Sequence, residues 1–172
     1  MTAAGAGAGT GIQALTKRQK IKLPSGVPAE STFTKTPAGG TAAGPELAKE
    51  CGLLGGCKTG DAVATSGYRL PATYIIHAVG PVWQGGSASE DDLLASCYRR
   101  ALEVADQLHV KSIAFPAIST GIYGFPKQRA AQIAVTAIRE YTGGIERLIF
   151  ACFDSETADI YRGLLKDLDE RV

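Results

Sequence analysis

The sequence predicts an α/β fold in which helices pack on a mostly parallel sheet. Short apolar runs alternate with longer segments whose apolar residues recur at helical spacing, as in repeated strand–helix units. The run from Leu148 is almost wholly apolar, which is typical of a strand covered on both faces. We expect strands at residues 61–65, 74–79, 112–115 and 147–153.

Four helices are predicted from start and stop signals in the sequence. The start signals are a proline in the first turn at Pro45 and Pro126, and serine caps at Ser89 and Ser155. Asp92, three residues after Ser89, would complete part of a capping box. The first helix is expected to end at Leu54, before two glycines.

The composition excludes several classes of protein. The chain has 172 residues, a formal net charge of +1 and 20% charged residues, which fits one domain, or one domain with a tail. This charge balance weighs against a nucleic-acid partner, and no apolar run is long enough to span a membrane. The four cysteines form no C-x-x-C pair, so no metal site is expected. We expect a monomeric, cytoplasmic protein with no cofactor and no nucleic-acid or membrane partner.

Residues 1–41 differ in composition from the rest of the chain. They are rich in small and turn-forming residues, begin with a low-complexity run and contain one aromatic residue, Phe33. Their basic, acid-poor character is weakly like that of an organelle transit peptide, but a poorly ordered tail is the favoured interpretation. Residues 12–15 could form one strand, and 24–40 are expected to be a loop. We therefore divide the chain into a low-complexity or divergent segment, 1–41, and a folded domain, 42–172.

A glycine-rich turn follows the strand at 112–115 and leads into a helix. Gly121 and Gly124 allow a tight turn and the close approach of another molecule. Successive N–H groups beside a helix N-terminus can bind an anion. Hydroxyl and aromatic side chains in the turn are candidate ligand contacts: Ser119, Thr120, Tyr123 and Phe125. From these residues alone, phosphate binding and an ordinary strand-to-helix turn both stay open.

Three other positions have more than one interpretation. Phe153 is either a core residue, which is the commoner case, or a stacking surface for a base, with Asp154 as a nearby hydrogen-bond acceptor. Trp83 is expected to pack against a neighbouring loop. His77 lies inside an apolar strand and is expected to be a hydrogen-bonded core residue.

Five segments resemble the macro domain family, and they occur in the family's order. They are AAGPELAKEC (42–51), GGCKTGDA (55–62), GYRLPATYIIHAVGPVW (67–83), SIAFPAISTGIYGFP (112–126) and IFACFD (149–154). The nearest subgroup hydrolyses O-acetyl-ADP-ribose or mono-ADP-ribosylated acidic side chains. The resemblance implies a three-layer α/β/α fold with a mixed, mostly parallel sheet, and a cleft for ADP-ribose or ADP-ribosylated protein.

The resemblance also implies which residues bind the ligand. The glycine-rich loop would wrap the diphosphate and distal ribose, and Phe153 would lie beside the adenine. The implied ligand-binding residues are Ser119, Thr120, Gly121, Ile122, Tyr123, Gly124, Phe125, Phe153 and Asp154.

The chain departs from the family before residue 42. The family has an Asp there that contacts adenine, a central strand ending in Asn-Ala-Ala-Asn, and a glycine run followed by a second Asp. The last Asn and the second Asp are thought to carry hydrolysis. In this chain the region has no Asn, and its only acid is Glu30. We therefore assign no catalytic residue.

The missing motifs leave three alternatives and one structural expectation. The chain is a hydrolase, a non-catalytic ADP-ribose reader, or an incomplete or mis-assigned macro-domain chain. Loss of the family's central strand would leave two neighbouring strands with unpaired backbone edges.

Overall fold

The computed structural model describes residues 19–22, 28–32 and 43–169. The strands are β1 (Gln19–Lys22), β2 (Pro28–Thr32), β3 (Ala62–Ser66), β4 (Tyr74–Ala78), β5 (Ser112–Pro116) and β6 (Arg147–Ala151). The helices are α1 (Pro45–Leu53), α2 (Glu90–Gln107), α3 (Lys127–Arg139) and α4 (Ser155–Asp169). The predicted α/β alternation is confirmed. None of the described helices combines the length and the apolarity that crossing a membrane requires.

The strands form two sheets, whereas the sequence implied one. The larger sheet has the order β1-β2-β6-β5, and β3 and β4 form an antiparallel pair of their own. β6 is parallel to both β2 and β5, while β1 is antiparallel to β2, so the larger sheet is mixed. Among the described strands, none pairs with the second edge of β4 or of β5. The outer edges of β1 and β3 are likewise unpaired among the described strands.

Helices lie on both sides of the strands and complete three layers. α2, α3 and α4 pack side by side, with α2 against β3 and β4 and α4 against β1 and β2. The main core contains Ile76 and the largest fully buried aromatic side chains, Tyr98, Phe115, Phe125, Phe150 and Tyr161. α1 packs against β3, where Leu47 and Ile75 belong to a second, smaller cluster. Because neighbouring residues of a strand point to opposite faces, Ile75 and Ile76 place these clusters on opposite sides of β4.

The larger sheet contains two strands that the sequence analysis does not predict. β2 lies within 24–40, so the prediction of a loop there is wrong for residues 28–32. β1 and β2 also lie within residues 1–41, which are expected to be poorly ordered or only loosely packed. The segment PAEST has no apolar alternation. Its strand conformation follows from parallel pairing with residues 148–151 of β6, a tertiary partner that composition does not reveal. The strand expected at 12–15 lies outside the described residues.

Two predicted helix caps are wrong. Ser89 has a φ of 56° and makes no side-chain capping bond to α2, so the capping box with Asp92 does not form. At α4, Oδ1 of Asp154 accepts the N–H of Thr157 at 2.8 Å, which makes Asp154 the cap in place of Ser155. β6 ends at Ala151, two residues before the predicted end at 153. The chain turns over residues 152–154 and so brings Asp154 to the start of α4.

Gly60 sets the register between β3 and β4. The N–H of Asp61 donates to the carbonyl of Lys58, closing a turn in which Gly60 has a φ of 87°. Gly60 N–H then donates to the Val79 carbonyl, and Val79 N–H donates to the Asp61 carbonyl. This is a β-bulge with glycine at its first position, a conformation that side chains disfavour.

Candidate functional site

β5 and β6 end side by side at one edge of the larger sheet. The strands are parallel, and Pro116 lies opposite Ala151. Residues 117–126, the 117–126 loop, follow β5, and residues 152–154 follow β6. Ligands of open α/β sheets collect at the carboxyl ends of strands. The nine predicted site residues therefore lie in two neighbouring segments at the same edge of the sheet.

The 117–126 loop is folded on itself by its own backbone. Three N–H groups donate at 2.9–3.4 Å to carbonyls within the loop: Thr120 to Ala117, Gly124 to Gly121, and Phe125 to Ser119. Ser119 and Gly124 have left-handed backbone, with φ of 65° and 67°. In contrast, the N–H groups of Gly121, Ile122 and Tyr123 bond to no other residue in the described part of the chain. Consecutive unengaged N–H groups before a helix N-terminus are suited to bind an anion.

The side chains of the loop contribute less than the sequence suggests. The Phe125 ring is buried in the core, so it does not offer an apolar face to a ligand. The Thr120 hydroxyl donates to the Ala117 carbonyl at 2.9 Å. Ser119 Oγ is buried without a described hydrogen-bond partner and lies so close to Gly80 that a Cβ there would be 2.2 Å away. The backbone is therefore the main donor of this loop, and Ile122 is its most exposed side chain.

Trp83 supports the 117–126 loop from the neighbouring connection, residues 79–89. The backbone N–H of Trp83 donates to the Tyr123 carbonyl at 2.9 Å, and the indole ring centroid lies 4.7 Å from the ring centroid of Phe125. The guanidinium of Arg129 lies 5.2 Å from the Trp83 ring centroid and is bonded to both carboxylate oxygens of Asp91. The prediction that Trp83 packs against a neighbouring loop is confirmed.

Glu90 organises the 79–89 loop. Its side chain is buried, and its carboxylate accepts the N–H groups of Gln84, Gly86 and Ala88 at 2.5–3.0 Å. Burial opposes ionisation of Glu90, but hydrogen bonds from the backbone outweigh it and lower the pKa to about 2. Glu90 is thus an internal anion held by the N–H groups of its own loop.

The turn after β6 presents an aromatic ring to solvent. Phe153 is 68% exposed, so the interpretation of it as a core residue is wrong. Asp154 accepts the Thr157 N–H and lies 3.2–3.3 Å from Nζ of Lys127. Burial favours a raised pKa for Asp154, but the bonds from Thr157 and Lys127 lower it below its ordinary value. Asp154 is therefore ionised and already engaged, whereas the Phe153 ring is accessible.

Residues 40–134 match the macro domain family. A macro domain-containing protein of Chlorobaculum tepidum is 55% identical over 127 residues, which are 72% of this chain and 74% of that relative. This chain belongs to the macro domain family. The Oceanobacillus iheyensis macrodomain with ADP is similar in structure, with a TM-score of 0.79 and 32% identity over 91% of this chain and 98% of that chain. The Trypanosoma brucei macrodomain in complex with ADP-ribose is 39% identical, with a TM-score of 0.65 over 71% of this chain and 52% of that chain.

Two further aspartates of this macro domain are engaged in ion pairs. Asp61 accepts hydrogen bonds from Arg100 Nε at 3.0 Å and from a backbone N–H, which lower its pKa. Asp91 is held by Arg129, as described above.

His77 lies in β4 and belongs to the core. Its Nε2 is hydrogen-bonded to Thr65 Oγ1 at 2.8 Å, and burial lowers the pKa of the imidazole. The prediction that His77 is a satisfied core residue is confirmed.

Sequence reasoning missed two residues of the macro domain site region, Lys127 and Glu90. Lys127 Nζ joins the start of α3 to Asp154 and, at 2.6 Å, to Glu156. A lysine next to a proline carries no signal of such partners. Glu90 follows a stretch rich in glycine and serine, and a buried acid after such a loop is a usable signal for bonding to loop N–H groups. Within the described ranges, no three His, Cys, Asp or Glu side chains gather as a metal site would require.

Proposed function

We propose that this macro domain binds ADP-ribose, either free or attached to protein, with the diphosphate against the backbone of Ser119–Gly124. The observation that carries the proposal is the row of unengaged N–H groups at Gly121, Ile122 and Tyr123, in the loop that leads into α3. Such groups bind phosphate oxygens because they are oriented donors at the positive end of a helix dipole. The solved macrodomains with ADP and ADP-ribose support the same choice of ligand class.

The nine candidate residues have different roles in this proposal. The backbone of 119–124 binds the diphosphate, and the exposed Ile122 side chain lies over the ligand. Phe153 offers its accessible ring to the adenine. Phe125 and Asp154 act indirectly, because the first is packed beneath the loop and the second caps α4.

We further propose that the chain acts as a reader of ADP-ribose with little hydrolase activity. The whole sequence contains no asparagine, so the family's catalytic amide is absent. Hydrolysis at the distal ribose needs a group within hydrogen-bond reach that can move a proton or position water. Asp61, Asp91 and Asp154 are held by cations in the described structure. Ligand binding needs no proton transfer, so it is retained.

Calorimetry with ADP-ribose on wild type, Gly124→Val and Gly121→Val tests the placement of the diphosphate. Valine at either position puts a β-branched side chain where the phosphate approaches, and we expect affinity to fall about tenfold or more, ~1.4 kcal/mol. Gly55→Val is a matched control for Gly124→Val, because the two glycines have φ of 68° and 67° and open space around them. Gly55 lies outside the proposed site, so its variant shares the backbone strain without the loss of binding. Equal affinities for wild type and both loop variants would refute the placement.

A further inference from the structure

We propose that Lys127 is a positioning residue that holds the Phe153 turn against the 117–126 loop. In this role it favours ligands that reach both segments over ligands that reach only the loop. The inference rests on the proposed function, since it assigns the loop to the diphosphate and the Phe153 ring to the base.

Lys127 joins the two segments of the candidate site by side-chain bonds. It is the first residue of α3, directly after the 117–126 loop, and its ammonium bonds to Asp154 and to Glu156. Asp154 is adjacent to Phe153, and Glu156 lies in the first turn of α4. In the described residues, no other hydrogen bond or ion pair joins 117–127 to 152–156. One ammonium group therefore connects the start of α3 to the start of α4.

The charge of Lys127 is not explained by the stability of α3. A cation at a helix N-terminus opposes the helix dipole, and the first turn of α3 has no acidic residue to offset it. Asp154 and Glu156, in contrast, stand where the dipole of α4 favours anions. The lysine is therefore accommodated by its contacts with the Phe153 turn and the start of α4.

Phe153 needs such support because its own packing is weak. Its ring is 68% exposed and makes no stacking contact with another described aromatic ring. Its position depends on the turn that carries it, and Asp154 is the residue of that turn with long-range side-chain bonds. Side chains of Lys127 and Asp154 are only about one-third exposed, at 32% and 37%, which strengthens their pairing relative to a fully solvated pair.

The test compares Lys127→Met with Lys111→Met in the full chain. Methionine keeps most of the side-chain stem and removes the charge. Lys111 pairs with Glu146 at 3.0 Å on the surface, at the opposite end of β5, so its variant controls for the loss of an ion pair. Affinity for ADP-ribose is measured by calorimetry. Binding of inorganic pyrophosphate, which reaches only the loop, is measured by amide shifts of 121–124 in NMR titrations.

We expect Lys127→Met to weaken ADP-ribose binding about tenfold and to leave the pyrophosphate affinity unchanged. Lys127→Arg should restore most of the loss, because a guanidinium can also bridge two carboxylates. Lys111→Met should leave both affinities unchanged. A purely structural loss would lower both affinities together and would not discriminate between the two ligands.

Three results would overturn the inference. Unchanged ADP-ribose affinity in Lys127→Met would show that the link does not position the ring. An equal loss for pyrophosphate would show that Lys127 contacts phosphate directly or supports the loop itself. Failure of wild type to bind ADP-ribose would overturn the proposed function and this inference with it, whereas the first two results leave ADP-ribose binding intact.

Discussion

Two neighbouring loops of this macro domain differ in what satisfies their backbone N–H groups. In the 79–89 loop, three N–H groups bind the carboxylate of Glu90, an anion supplied by the chain itself. In the 117–126 loop, three consecutive N–H groups bind no other described residue. The loops are joined where Trp83 N–H meets the Tyr123 carbonyl. Similar backbone chemistry thus builds a support where the anion is internal, and we propose that it builds a binding site where the anion must come from outside.

The largest expected effect concerns the rate of turnover. Backbone N–H groups of a loop can hold a substrate, but they do not supply the acid or base that moves a proton. We expect this protein to deacylate O-acetyl-ADP-ribose about 10²–10⁴-fold more slowly than a macro domain hydrolase with its Asn and Asp motifs, the usual contribution of general acid–base catalysis. The measurement is a deacylation assay of both purified proteins at matched concentrations. Comparable rates would contradict the prediction, and Glu30 and Asp154 would then be the first residues to replace.

A smaller effect is expected when the internal anion is removed from the 79–89 loop. Glu90→Gln removes the negative charge and replaces one of the two acceptor oxygens by an NH2 group, which cannot accept an N–H, so we expect a lower Tm and weaker ADP-ribose binding through Trp83. Glu103→Gln is the control, because Glu103 forms an exposed ion pair with Arg100 within α2. A Tm drop no larger than that of Glu103→Gln would mean that Glu90 does not organise the loop.

Titration of the Glu90 carboxylate also predicts a pH dependence of stability, which Glu90→Gln should abolish. The folded-state pKa of Glu90, about 2, lies below its ordinary value of 4.5, so its stabilisation is present above the ordinary pKa. It is lost as pH falls from about 4.5 to about 2, because the unfolded chain takes up the proton first. The Tm difference between wild type and Glu90→Gln should therefore shrink over that range. A difference that stays constant down to pH 2 would assign the acid sensitivity to other carboxylates.

The sequence predicts the described helices and the strands β3 to β6, because these elements carry local signals. The apolar run of β6 and the glycines of the 117–126 loop are visible without knowledge of tertiary contacts. β2 is not predictable in this way, since PAEST becomes a strand through its pairing with β6. Local rules also placed the caps at Ser89 and Ser155, whereas the structure uses Asp154 at α4 and turns Glu90 toward the preceding loop.

The candidate site is predictable in its location and less so in its chemistry. The glycine-rich turn indicates where a ligand would approach, but it does not tell which hydroxyls and rings are turned inward. Ser119 and Phe125 are buried by contacts with Gly80 and Trp83, which are distant in sequence. The link through Lys127 likewise depends on two helix starts being neighbours, a property of strand order that composition does not contain.

The smallest expected effect concerns one exposed side chain of the 117–126 loop. Ile122 is 89% exposed on the 117–126 loop, and Leu53, at the end of α1, is 88% exposed. Because neither side chain is packed, we expect Ile122→Ala and Leu53→Ala each to change stability by no more than about 0.5 kcal/mol. If Ile122 covers bound ADP-ribose and its truncation removes apolar contact equivalent to about one buried methylene, ~0.8 kcal/mol, affinity should fall about fourfold. Leu53→Ala should leave affinity unchanged. Identical calorimetric affinities for both variants would show that the ligand is held by the backbone of the loop alone, with the exposed isoleucine left in solvent.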